Sequence, residues 1–166
     1  MPEFVEAKKK TEEEISKLMK VDGSLAVDEV HRELGKIVGD KIGMARNEAG
    51  LKEALLEIPK IKEKFWNDIS IPGSEKDVNQ ELEKALRIKD FIELAGLMAH
   101  DALDRKESCG AHFREEYQTP EGEAVRNDED FSFVSAWEFK GETEVPELHK
   151  EDLKYENIEL KQRSYK

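Results

Sequence analysis

Sulfur ligands are scarce: the chain has a single cysteine, Cys109, so it can close no internal disulfide and no CxxC metal site. That usage fits a reducing compartment. No stretch approaches the roughly 18 to 20 uninterrupted apolar residues that a membrane-spanning helix needs, and no secretory leader is legible at the start. Positive charge is also short, with 27 Lys and Arg against 39 Asp and Glu and a formal net charge of -12. Binding to nucleic acid depends on clustered cations that release counterions from phosphate, so a nucleic-acid surface is excluded. Most of the imbalance lies late: positions 115 to 166 carry 15 acidic and 7 basic residues, a segment that DNA or an anionic membrane would repel. His31, His100, His112 and His149 never fall at the HxxxH or HExxH spacing that puts two imidazoles on one helix face, so no metal site is expected. Gly35, Gly39 and Gly43 do not form the GxGxxG of a dinucleotide loop, and no strand precedes them.

What the chain does hold is charge and helical periodicity. Residues are 37% hydrophobic and 40% charged, enough core for one domain with an appended tail. Phe4, Ile15, Leu18 and Met19 make a loose helical stripe ending near Asp22-Gly23. After Ser24, a suitable cap, Val27, Val30, Leu34, Ile37, Val38 and Ile42 recur at three- and four-residue steps. Asn47 can cap a third pattern through Leu51, Ala54, Leu55, Ile58, Ile61 and Phe65, in which Pro59 predicts a kink near Leu55 or two shorter helices. Trp66 to Ser74 reads as a loop. From Asp77, Leu82, Ala85, Leu86, Ile92, Ala95, Ala99 and Ala102 share a face that Phe91, Leu94, Leu97 and Met98 widen until the second half looks buried all round. Gly110 is expected to stop this helix. The glycine stripe at 35, 39 and 43 is read as close packing, since each glycine costs about 1 kcal/mol against alanine in a helix.

The expected fold is therefore mainly α. An antiparallel bundle of three to four helices (1-110) leads to an extended connector (111-130) and a two-stranded β-hairpin (131-166). In the hairpin, Phe131, Phe133, Trp137 and Phe139 alternate on one strand, Leu153, Tyr155, Ile158 and Leu160 with a bulge on the other, joined through Gly141 to Pro146. Such a hairpin is marginal alone, so its aromatics, with Tyr165, are expected to need a partner surface.

One dense polar cluster follows the longest helix: Glu107, Ser108, His112 and Arg114. Taken alone, Ser108 reads as a helix C-terminal residue, Glu107 and Arg114 as an ion pair, His112 as a donor to a backbone carbonyl, and Cys109 as a small residue at a crowded helix end. His100 beside Asp101 reads as a hydrogen-bonded group at the core edge. Cys109 with His112 as a nucleophile pair is the weaker alternative.

The run Arg105-Lys106-Glu107-Ser108-Cys109-Gly110-Ala111-His112 resembles the arginine-x-glutamate-serine-(arginine or cysteine)-glycine-x-histidine signature in the C-terminal region of succinate dehydrogenase and fumarate reductase flavoprotein subunits, relatives of L-aspartate oxidase. Phe113 to Tyr117, Thr119-Pro120-Glu121-Gly122-Glu123-Ala124, Arg126 and Asp128-Glu129 continue the likeness. Many members carry Arg where this chain has Cys109, which removes a bidentate donor; members associated with a diheme membrane anchor are closer to the Cys form. The resemblance implies a C-terminal piece of an oxidoreductase whose parent subunit holds FAD and moves a hydride between succinate and flavin. Catalytic, cofactor and metal residues are expected to be absent from this stretch. Glu107, Ser108, His112 and Arg114 become candidate docking groups against the FAD-binding and capping domains. The implied partners are those domains, an iron-sulfur subunit and, indirectly, a membrane anchor. The implied location is cytoplasmic, peripheral at the inner face of the cytoplasmic membrane. The contrasting reading is a free-standing acidic helical module that binds another protein.

Overall fold

The computed structural model describes residues 1-141 and 144-161, so Tyr165 lies outside the described residues. The chain is mainly helical, with α1 (Pro2–Met19), α2 (Val27–Ile37), α3 (Glu48–Asp68), α4 (Gln80–Asp104) and a one-turn α5 (Asp128–Phe131). Four two-residue strands, β1 (Leu25–Ala26), β2 (Ala45–Arg46), β3 (Ile69–Ser70) and β4 (Phe113–Arg114), pair in parallel, β1 with β3 and β2 with β4. An antiparallel hairpin of β5 (Phe133–Glu138) and β6 (Glu147–Asp152) follows. Two compact units result, one of residues 1-38 and 56-95, the other of 39-55 and 96 onward.

The first unit has an apolar core. Val27, Val30 and Leu34 of α2, Ile58, Ile61 and Phe65 of α3, and Leu82, Ala85, Ile88 and Ile92 of α4 are all buried. Their three- and four-residue spacing is what a helix needs to bury one face. α1 contributes only Leu18 to this core and is otherwise a charged rod, its i,i+4 pairs Lys8-Glu12 and Lys9-Glu13 fully at the surface. Lys89-Glu14 at 2.6 Å and Lys17 over the Trp66 ring at 4.1 Å tie it down. Ser24 does not cap α2. The β1-β3 pairing brings Asp68 to it instead, and the Ser24 amide and hydroxyl both donate to the Asp68 carboxylate at 2.9 and 3.1 Å. Capping passes to Glu29, whose carboxylate accepts from the Ala26 amide at 2.8 Å. The same close approach explains Gly23: a Cβ there would lie 2.0 Å from the Asp68 backbone, while its N–H donates to the Ile69 carbonyl at 3.1 Å.

Several expectations are corrected. The glycine stripe serves no close packing, since a Cβ on Gly35 or Gly39 would meet nothing within 4 Å. At Val38–Ile42 the helix widens into a π turn, which breaks the four-residue phase of the stripe. α3 runs unbroken through Pro59 to Asp68, two residues into the expected loop, with the proline on its exposed side. Asn47 does cap it, its side-chain oxygen accepting from the Gly50 amide at 2.8 Å. The second half of α4 is not buried all round: Phe91, Leu94 and Met98 are 43%, 52% and 41% exposed. Only the face carrying Ile92, Ala95, Ala99 and Ala102 is covered, as a period of 3.6 residues dictates when neighbours lie on one side. The helix also ends at Asp104, well short of Gly110.

In the hairpin, the partner of β5 is the charged segment 147-152, not the apolar-alternating 153-160, which is exposed and outside any strand. The register runs without a bulge from Phe133 opposite Asp152 to Glu138 opposite Glu147. Phe131 lies in α5 rather than in the strand. The aromatic face needs no outside cover: Phe133 is buried, and Trp137 donates its indole N–H to Asp101 of α4 at 2.8 Å.

Two glycines separate steric need from accident. Gly23→Ala is expected to lower stability by roughly 2 kcal/mol or more through backbone overlap, whereas Gly35→Ala should raise it by about 0.5 to 1 kcal/mol. Thermal unfolding followed by circular dichroism of both variants checks the pair.

Candidate functional site

The polar cluster grows out of the end of α4. A helix leaves its last four carbonyls without partners, and here the chain leaves at Asp104 and returns with Arg114 to serve them. The Arg114 guanidinium donates to the Ala102 carbonyl at 2.8 Å, to Leu103 at 3.4 Å, and through Nε to the Glu116 carboxylate at 3.0 Å. Arg114 is 1% exposed. A buried guanidinium is tolerated only when its donors are met, and its positive charge at a helix C-terminus is the favourable sign.

Ser108, fully buried, locks the return. Its hydroxyl accepts from the Arg114 amide at 2.8 Å and donates to the Arg114 carbonyl at 3.1 Å, while its own amide donates to Val125 at 2.8 Å. Between them, Cys109 and His112 exchange backbone hydrogen bonds at 2.8 and 3.0 Å across a tight turn, with Gly110 at φ +60°. That left-handed position suits glycine. Glu107 is buried, its carboxylate accepting from Arg105 at 2.7 Å and from the Asn127 amide at 2.9 Å. Arg105 also donates to the carbonyls of Phe131 and Phe133 at 3.1 and 3.0 Å and lies over the Phe133 ring at 5.0 Å. One arginine thus joins the helix end, the connector and the hairpin.

The four candidate residues do come together, with different partners from those expected. Glu107 pairs with Arg105, not Arg114, because Arg114 is drawn to the helix carbonyls and Glu116. Ser108 sits in a buried loop beyond the helix, and Cys109 is exposed on the turn rather than crowded at a helix end. His112 donates from Nε2 to the Arg105 carbonyl at 2.9 Å, the role read from its sequence context. Burial first, then the nearby Arg46, Arg114 and Arg105 charges, push its pKa below the ordinary value, against the effect of its hydrogen bond. A neutral imidazole offers no positive charge to activate the Cys109 thiol. His100 on α4 is half-buried, and burial lowers its pKa too.

Sequence reasoning missed Arg105, Arg46 and Asn127. Arg105 was legible as the first residue of the signature; the other two are placed by returning backbone that no spacing reveals.

Residues 31-165 match the family described as fumarate reductase flavoprotein C-term. The chain belongs to this family of flavoprotein C-terminal domains. It is 30% identical to the fumarate reductase flavoprotein subunit of Helicobacter pylori over 86% of the chain and 19% of that protein. It is 27% identical to the succinate dehydrogenase flavoprotein subunit of Bacillus subtilis over 95% of the chain and 26% of that protein. Among solved structures, an E. coli quinol fumarate reductase chain superposes at a TM-score of 0.77, with 24% identity over 92% of this chain and 25% of that one. The Mycobacterium smegmatis Sdh1 complex gives 0.70, with 21% identity over 88% of this chain and 23% of that one. These structures support the fold. The chain spans about a fifth to a quarter of the length of these relatives.

An FAD site does not fit on the described residues of this family member. The parallel pairs are two residues long, and β1 runs straight into α2 without the glycine-rich turn that lets a pyrophosphate reach a helix N-terminus. One group of metal-ligating types meets across the hairpin, Glu138, Glu147 and His149, all exposed. Lys140 lies 3.0 and 2.6 Å from the two carboxylates and supplies the counter-charge there. No residue of the signature is presented as a catalytic base or nucleophile, since its polar atoms are spent on backbone partners.

Ser108→Ala should cost about 1 to 3 kcal/mol by stranding a buried amide and carbonyl, and Glu107→Ala roughly 3 to 5 kcal/mol by stranding Arg105; urea denaturation measures both. A pH effect follows from the lowered pKa of His112. Its proton binds the unfolded chain more readily, so stability is complete above the ordinary histidine value of 6.5 and declines as pH falls through it. The unfolding midpoint should drop from about pH 7.5 to about pH 5.5, and less steeply in His112→Asn, with His100 accounting for residual slope.

Proposed function

We propose that this chain is the C-terminal helical module of a succinate dehydrogenase or fumarate reductase flavoprotein subunit, which buttresses the FAD-binding and capping domains and has no activity by itself. The observation that carries the reading is the family match over residues 31-165, combined with a signature whose groups are turned inward. Glu107, Ser108, His112 and Arg114 serve docking by shaping the 105-117 loop. Its outward residues, Lys106, Cys109, Gly110, Ala111 and Glu115, are the ones exposed to a neighbour. In the parent subunit, FAD would exchange a hydride with succinate or fumarate, and electrons would pass to an iron-sulfur subunit and a quinone. This module would help form the face that meets that subunit, and so touch the membrane anchor only indirectly. Among the described residues no helix is long and apolar enough to cross a membrane, which agrees with a peripheral position at the cytoplasmic face of the membrane.

The test is complementation. A separately produced FAD-binding and capping fragment of the parent subunit, mixed with this chain, should associate stably and gain succinate oxidation with an artificial acceptor. Two folded pieces that fail to associate would instead support a free-standing protein-binding module.

A further inference from the structure

Arg46 is a half-buried cation that makes no ion pair among the described residues. The β2-β4 pairing sets it directly across from Arg114, so two guanidinium groups share one strand pair, where like charges repel. Arg114 is neutralised by Glu116 and by helix carbonyls. Arg46 is not. Its Nε donates to the Gly43 carbonyl at 2.8 Å, which fixes the plane of the guanidinium and leaves its two terminal amino groups as the outward fork. Burial and Arg114 disfavour its charge, and the carboxylate that favours it, Asp101, is held by the Trp137 indole at 2.8 Å. The other carboxylates nearby are also committed: Glu115 accepts from Asn47 at 2.6 Å, and Glu116 from the Glu48 amide at 2.5 Å.

The fork opens on a cleft of about 190 Å³ lined by Arg46, Asn47, Gly50, Asp40 and the Lys41-Glu53 pair. Lys41 and Glu53, 2.7 Å apart, cancel each other, and Asp40 is exposed to water. Asn47 is spent on Gly50 and Glu115. The unmatched donors in this cleft are therefore those of Arg46. We infer that the cleft is a binding site for a small oxyanion, a phosphate or a carboxylate, held by the terminal amino groups of Arg46. A planar guanidinium presents two parallel N–H donors at the spacing of two oxyanion oxygens, and partial burial strengthens the bond. Occupancy would also relieve the Arg46-Arg114 repulsion.

The experiment titrates the full chain with sodium phosphate, and separately with sodium acetate, at ionic strength held constant with sodium chloride. The arginine Nε–Hε signals are followed by nuclear magnetic resonance and the thermal midpoint is measured in parallel. A saturable shift of the Arg46 signal and a midpoint above that in chloride alone are expected with at least one of the two anions. Arg46→Gln should abolish both effects, and Arg46→Lys, which keeps the charge but not the fork, should weaken binding roughly tenfold. Arg32→Gln, at an exposed arginine of α2, should change neither. An Arg46 signal that moves with neither anion, or a lysine variant that binds as tightly as the wild type, would overturn the assignment. The lysine variant keeps the test decisive even where the glutamine variant fails to fold.

Discussion

Everything after α4 depends on one desolvated charge. Arg114 is almost wholly withdrawn from water, and a guanidinium without partners there would cost several kcal/mol. Its partners are the carbonyls at the end of α4 and Glu116, so the penalty is offset only if the chain reverses after Asp104 and comes back in register. Ser108 fixes that register by holding both backbone groups of Arg114. Arg105 and Glu107 repeat the arrangement one layer out, toward Asn127 and the hairpin carbonyls.

The two units are stabilised by different physics. The first buries branched aliphatics and Phe65 on three helices, and its stability scales with apolar area. The second buries Ile42, Leu51 and small alanines beside three polar side chains, Glu107, Ser108 and Arg114. A core of that kind is intolerant of partial loss, because each missing partner strands another buried polar atom. It also specifies one arrangement of the loop more sharply than apolar packing would.

That view explains which signature positions carry chemistry for the fold and which do not. Position 109, Cys here and Arg in many relatives, is exposed, and its contribution is a pair of backbone bonds to His112. Either side chain leaves those bonds intact, so the variation does not disturb the buried arginine. His112 is different: held neutral by burial, it spends its N–H on the Arg105 carbonyl and so joins the turn to the arginine that reaches the hairpin.

The helices were legible because burial on one face repeats every three to four residues, and α2, α3 and α4 each follow that period along the sequence. The aromatic strand β5 and the cap at Asn47 were legible for the same local reason. Local pattern misled wherever a distant segment competed for the same group. Ser24 turned to Asp68, 44 positions away, and β6 formed from charged residues because its partner offered a better register than the apolar run that follows. Composition and the 105-130 motif determined the family by themselves. Which acid met which arginine, where α4 stopped and which of its apolar residues remained in water were decided only by tertiary structure. Desolvation and backbone satisfaction depend on what surrounds a group in space, and sequence spacing does not encode that.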